Sequence, residues 1–95
     1  MIQPDLIIHD VKDNVAVVVI NKILKNQECV AWIMENDKTI KIKCINEIPL
    51  GHKIALKNFE IGDTILKYGH DIGKVVSPIK KGDHVHIHNV KTKKW

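Results

Sequence analysis

The chain contains no arginine: all fifteen of its basic residues are lysine. Arginine supplies the planar fork that reads guanine, phosphate and carboxylate through paired hydrogen bonds, whereas lysine offers a point charge. Only 4% of the residues are aromatic, too few for a base-stacking platform. The net charge of +4 is spread along the chain and concentrates only in "KTKKW", 91–95. A lysine-coated, solvated surface accounts for that charge better than a nucleic-acid-binding face does. Cysteine is also scarce. Cys29 and Cys44 form no CxxC pair and cannot make a zinc site alone, and each sits in an apolar-alternating segment, so both read as small buried hydrophobes. No apolar run approaches a membrane span, and the first residues lack a charged-then-apolar signal pattern, so a cytoplasmic protein is expected.

Long helical stripes are missing as well. No segment longer than about ten residues carries a clean 3.6-residue periodicity. "GHKIALKNF", after Pro49, is the best place for one short helix. What the chain has instead is short strands. "NVAVVVI" (14–20) is rich in β-branched residues. "ECVAWIM" and "KTIKIK" flank "ENDK", which has the chemistry of a hairpin turn. In the second of these, Ile40 and Ile42 alternate with Lys41 and Lys43, as in a half-buried antiparallel strand.

A small pattern recurs: apolar, two residues, Gly, two residues, apolar. It occurs in "IPLGHKI" (48–54), "FEIGDTI" (59–65) and "IKKGDHV" (79–85), and in "ILKNQEC" (23–29) with Asn26 in the glycine's place. It predicts a tight turn with a left-handed residue, followed by a strand. The spacings of the copies are irregular, which excludes a solenoid. Gly69 and Gly73 are expected in turns flanking a short strand. The class is therefore mainly β: one domain over 1–95 with a small core and loose ends at about 1–6 and 91–95.

The densest chemistry lies in "GDHVHIHN" (82–89), with three histidines at alternate positions. In a continuous strand His84, His86 and His88 share one face, with Val85 and Ile87 toward the core. Alternate residues lie about 6.7 Å apart, so two neighbours can share one metal and the outer pair cannot. A further ligand would come from His52, His70, an acid or another chain. A solvent-facing polar strand is the plainer alternative. Lys67 follows the apolar "TIL". It suits a depressed-pKa base, a carboxylate anchor or a snorkelling surface lysine. Asp13–Asn14 reads as a turn before the first strong strand, and His52 after Gly51 can serve as a turn cap.

"HDVKDNVAV", "IPLGHKIAL", "ILKYGHDIGKV" and "IKKGDHVHIHN", in that order, resemble the small subunit of the altronate dehydratase family. The same stretch resembles the amino-terminal domain of fused altronate and galactarate dehydratases, and is similar to the small (alpha) subunit of sulfolactate sulfo-lyase. It runs from His9 to Val90; 21–47 is its least distinctive part. The resemblance implies a SAF domain, a β-clip of short bent strands. It also implies a lyase that eliminates a β-substituent from a small anionic 2-hydroxy acid, with iron or another divalent metal typical of the dehydratases. The leading expectation is an altronate dehydratase-type hydro-lyase, losing water to give a 2-keto-3-deoxy sugar acid. The alternatives are a sulfolactate sulfo-lyase alpha subunit, forming pyruvate and sulfite, and a non-catalytic SAF binding module.

The family's recurring positions fall on His52, Lys53, Lys67, Tyr68, His86, His88 and Asn89. The resemblance makes His86, His88, Lys67 and His52 the catalytic candidates, with His86 and His88 also the metal candidates. Lys53, Tyr68 and Asn89 become the substrate-binding candidates, and Lys67 a carboxylate or leaving-group anchor. His84 and His70 occupy looser slots, and His84 is set aside as a bystander. The fused enzymes continue into a large domain after the position of Val90, so a separate large catalytic subunit is the expected partner. The small subunit alone is expected to be inactive.

Overall fold

A computed structural model describes residues 3–92. Eleven short strands make up the secondary structure and no helix occurs among these residues. They are β1 (Leu6–Ile8), β2 (Val15–Val18), β3 (Lys22–Ile23), β4 (Glu28–Ile33), β5 (Lys38–Lys43), β6 (Ile48–Pro49), β7 (Lys53–Ala55), β8 (Thr64–Lys67), β9 (His70–Val75), β10 (His84–Val85) and β11 (Val90–Thr92). They form a six-stranded sheet ordered β10-β7-β2-β1-β4-β5, a three-stranded sheet β11-β9-β8, and the ribbon β3-β6. The mainly β class holds. The short helix after Pro49 does not: Lys53–Ala55 is a strand paired on both sides, because Ile54 and Ala55 are needed in the sheet core. The expected loose ends are ordered further out, since Leu6 is fully buried in β1 and Lys91–Thr92 pair with β9. The remaining terminal residues, 1–2 and 93–95, lie outside the described part.

The recurring Gly/Asn pattern is one turn used four times. Gln27 N–H donates to the Leu24 carbonyl, His52 to Pro49, Asp63 to Glu60 and Asp83 to Lys80. The third residue of each turn has positive φ: Asn26 67°, Gly51 85°, Gly62 95° and Gly82 88°. A left-handed third residue is what a type II turn requires. Each turn then feeds a strand: β4, β7, β8 and β10. At Gly82 space matters too. Its N–H donates to Ala55 and its carbonyl accepts from Ile45, and a Cβ there would overlap the Lys43 carbonyl oxygen. Gly73 is no turn residue. It lies inside β9, where a Cβ would come 2.8 Å from the Lys91 carbonyl oxygen.

Two cores result. One packs Leu6, Ile8, Val18, Ile23, Ile48 and Ile54 with both cysteines beneath the large sheet. The other joins that sheet to the three-stranded one through Val15, Phe59, Ile65, Val75, Ile79 and Val85. A fully buried Leu, Ile or Val contributes roughly 1.5–3 kcal/mol of transfer free energy. Cys29 and Cys44 behave as expected: both are free and buried, with Sγ atoms 3.2 Å apart, and burial pushes both thiols up. The alternation in β5 is real but half used, since Ile42 is buried and Ile40 is exposed at the sheet edge.

Candidate functional site

β7 and β10 run antiparallel, with Lys53 opposite Val85 and Ile54 opposite His84. Extending that register by one residue sets His52 across from His86. Their rings stack at 3.9 Å between centroids, 19° from parallel. His52 Nδ1 lies 2.8 Å from His84 Nε2, a hydrogen bond between two imidazoles. His52, His84 and His86 each offer a ring nitrogen within 4.8 Å of the others. The expectation for His84 is thus corrected: it sits in the middle of the cluster.

The continuous strand is corrected as well. β10 stops at Val85, and Asn89 and Val90 N–H groups both donate to the His86 carbonyl, closing a turn over 86–89. Ile87, expected in the core, is 77% exposed at its tip. The turn brings the His88 ring to 5.0 Å from that of His84, closer than an extended strand allows. His88 nevertheless stays outside the three-nitrogen group. Asn89 is buried with its amide committed to the backbone: Oδ1 accepts from His86 N–H at 2.9 Å and Nδ2 donates to the His84 carbonyl at 2.7 Å. It holds the histidine turn in shape. Asp83 holds the entry, accepting from His84 N–H and from the Asn46 side-chain amide.

Burial pushes the His84 pKa down to about 4, and positive charge on His88, His52 and His86 pushes the same way, against Asp83. His86 is lowered for the same reason, with Lys53 contributing. Both rings are therefore neutral at pH 7, the form that ligates metals and accepts protons. Burial also lowers Lys53, helped by the nearby charge of Lys67. Lys53 and His86 border a pocket of about 170 Å³ whose floor is Ile65, Ile72 and Val85. One cationic side chain, Lys53, above an apolar floor suits a small anion.

Lys67 ends β8, and its Nζ lies 5.5 Å from the centroid of the Tyr68 ring. Tyr68 hydroxyl is 2.9 Å from His9 Nε2, and the two rings stack at 3.9 Å. His70, on the exposed side of β9, lies outside both histidine groupings among the described residues. Three contributors escaped the sequence reading: His9, Asp13 and Asn14. Asp13 is buried, and its carboxylate accepts from the Tyr68 and Gly69 N–H groups at 3.0 and 2.8 Å. Asn14 clamps β8 with its side-chain amide, donating to Thr64 and accepting from Leu66. A turn reading of "DN" is locally fair, but the partners lie over 50 positions away in sequence.

A β-clip fold with a histidine cluster at one sheet end agrees with the match of residues 4–93 to the altronate/galactarate dehydratase SAF domain. The chain belongs to that family. It is 43% identical to the (2R)-sulfolactate sulfo-lyase subunit alpha of Chromohalobacter salexigens over 96% of this chain and 97% of that one. It is 48% identical to the (2R)-sulfolactate sulfo-lyase subunit alpha of Paracoccus pantotrophus over 70% of this chain and 97% of that one. Likeness to the altronate dehydratase of Bacillus subtilis is 43% over 56% of this chain and only 11% of that protein. The balance moves from the hydro-lyase reading toward the sulfo-lyase alternative.

Proposed function

We propose that this chain is the alpha subunit of a sulfolactate sulfo-lyase, cleaving the carbon–sulfur bond of 3-sulfolactate to give pyruvate and sulfite together with a larger partner subunit. The observation that carries this reading is the end-to-end likeness to a sulfo-lyase alpha subunit, 43% identity over nearly the whole of both chains. The site supports it chemically. Lys53 and Lys67 provide two positive charges for a substrate with two anionic groups, and neutral imidazoles stand beside them. Substrate pockets favour interfaces, and an open 170 Å³ hollow is completed best by a second subunit.

The donor set fits a divalent metal such as iron. Three imidazole nitrogens within 4.8 Å of one another are a ligand set that suits iron or zinc. His52, His84 and His86 would hold the ion, and it would supply positive charge against the enolate that forms beside the carboxylate. His88, the histidine outside that trio, takes the C2 proton. Lys67 and Lys53 hold the carboxylate and the sulfonate, and Asn89, bonded to the His84 carbonyl and the His86 N–H, keeps those two histidines in position. As the C2–H electron pair becomes the C2=C3 bond, the C3–S pair leaves with sulfite.

The test is co-expression with a large subunit of this lyase class, then a substrate panel. Release of pyruvate and sulfite from 3-sulfolactate is expected, with little turnover of altronate. Turnover of altronate alone would restore the hydro-lyase reading, and no turnover of any hydroxy acid would leave only a binding module. Metal content of the purified chain should fall when His84 is replaced by Ala.

A further inference from the structure

The β8–β9 hairpin breaks a local rule. Its loop is two residues long, with Lys67 paired to His70. Both loop residues have positive φ, Tyr68 at 54° and Gly69 at 72°. That is the type I′ turn, whose first position strongly prefers Asn, Asp or Gly. Among the described residues, the other non-glycine positions with positive φ are Asn26 and Asp37, residue types that tolerate it. Tyrosine has no conformational reason to be there, and it is not buried: it is 56% exposed. The strain is held by a buried carboxylate, since Asp13 accepts both loop N–H groups. Departures from local preference that the fold actively maintains mark function. What the arrangement secures is the side chain, stacked on His9 and hydrogen-bonded to it at 2.9 Å.

We propose that Tyr68 is a catalytic proton donor and His9 the positioning residue that recharges it, forming a second proton-transfer unit beside Lys67. This rests on the sulfo-lyase reading. Elimination leaves the enol of pyruvate, which becomes product only when C3 gains a proton and the enol hydroxyl loses one. With His9 protonated on Nε2 and donating to the phenol oxygen, the phenol's own hydrogen is free to point at substrate. The C2=C3 electron pair takes that proton at C3. His9 passes its Nε2 proton to the phenolate oxygen as its Nδ1 takes up the proton released when the C2 carbonyl forms, so the ring stays neutral throughout. No oxidant or further reactant is needed. Lys67, next in sequence and close to the Tyr68 ring, places the pair beside the proposed anion anchor.

The experiment uses the assembled two-subunit enzyme with 3-sulfolactate. Tyr68→Phe, which keeps the ring and loses the hydroxyl, should lower kcat about 100-fold or more with KM little changed. Tyr68→Asn should lower kcat as much while raising Tm or leaving it unchanged, because Asn suits the turn better. His9→Gln should lower kcat less and move the pH profile of kcat. A Tyr68→Phe enzyme within about twofold of the parent would overturn the proton-donor role and leave the sulfo-lyase reading standing. A clear fall in Tm for Tyr68→Asn would overturn the argument that tyrosine is kept there against the turn's preference. A parent complex that releases no pyruvate would remove the sulfo-lyase reading itself, and this inference with it.

Discussion

The β4–β5 and β8–β9 hairpins are the same structural unit put to different use. In the first, a loop over 34–37 carries Asn36 and Asp37 at its tip. Asp37 takes the positive φ and its carboxylate accepts the Trp32 indole N–H at 2.8 Å, while Asn36 accepts from the Lys38 N–H. Every residue there is one that turn chemistry would choose. In the second, tyrosine occupies a position suited to asparagine and is fastened by a carboxylate from β2's approach. Lys67 stands next to it, and the charge of Lys67 is felt at Lys53. Conformity marks the architectural hairpin and departure marks the one proposed to carry chemistry.

Substitutions can break that contrast. The largest effect is expected at Gly82, whose N–H and carbonyl tie the end of β7 to the chain just after β5. Gly82→Ala meets both positive φ and the Lys43 carbonyl, and should cost about 3 kcal/mol or more, read as a loss of folded protein in urea. Gly62→Ala shares the φ but faces open space and should cost only about 1–2 kcal/mol. Equal effects at the two sites would remove the packing argument.

Next comes the acid under each turn. Asp13→Ala strands three N–H groups, those of Asp10, Tyr68 and Gly69, in a partly buried place and should cost about 2–4 kcal/mol, whereas Asp37→Ala on the exposed hairpin should cost about 1 kcal/mol or less. Thermal unfolding of the two variants decides the order.

The third contrast is acidity. With a chelator in the buffer, the histidine region should make stability depend on pH. His84 titrates at about 4 when folded and near 6.5 when unfolded. Between those values the unfolded chain holds a proton that the folded chain lacks. The contribution is therefore full above about pH 6.5 and declines as pH falls toward 4, and His86 adds in the same direction. Urea midpoints at pH 7.5 and 5 should differ, and His84→Asn should shrink the difference. A midpoint unchanged between the two pH values would contradict a buried neutral His84. The smallest effect is expected on the ordinary hairpin: Lys41→Ala on exposed β5 should move stability by less than about 0.5 kcal/mol and leave turnover of the assembled enzyme unchanged.

Much of the fold was legible because it is written in local terms. Strand alternation located β2, β4 and β5. The four Gly/Asn turns were visible because a left-handed residue narrows the choice of amino acid so sharply. The helix after Pro49 failed because a nine-residue apolar stretch fits either period, and pairing with β2 and β10 decided it. For the site, "GDHVHIHN" pointed to the right place with the wrong geometry. Asn89 closes a turn by bonding His84 and His86 backbone groups, and no alternation rule can see that bond.

By itself, then, the sequence determined the class, the turns, the buried cysteines, the family and the pool of histidines and lysines from which a site is drawn, since each depends on a residue and its near neighbours. Only the tertiary structure decided the partners. It set His52 against His84 and His86, returned His84 from bystander to centre, placed His9 on Tyr68 and put Asp13 beneath them both. Those pairings span 32 to 59 positions and depend on strand register, which the whole core sets together.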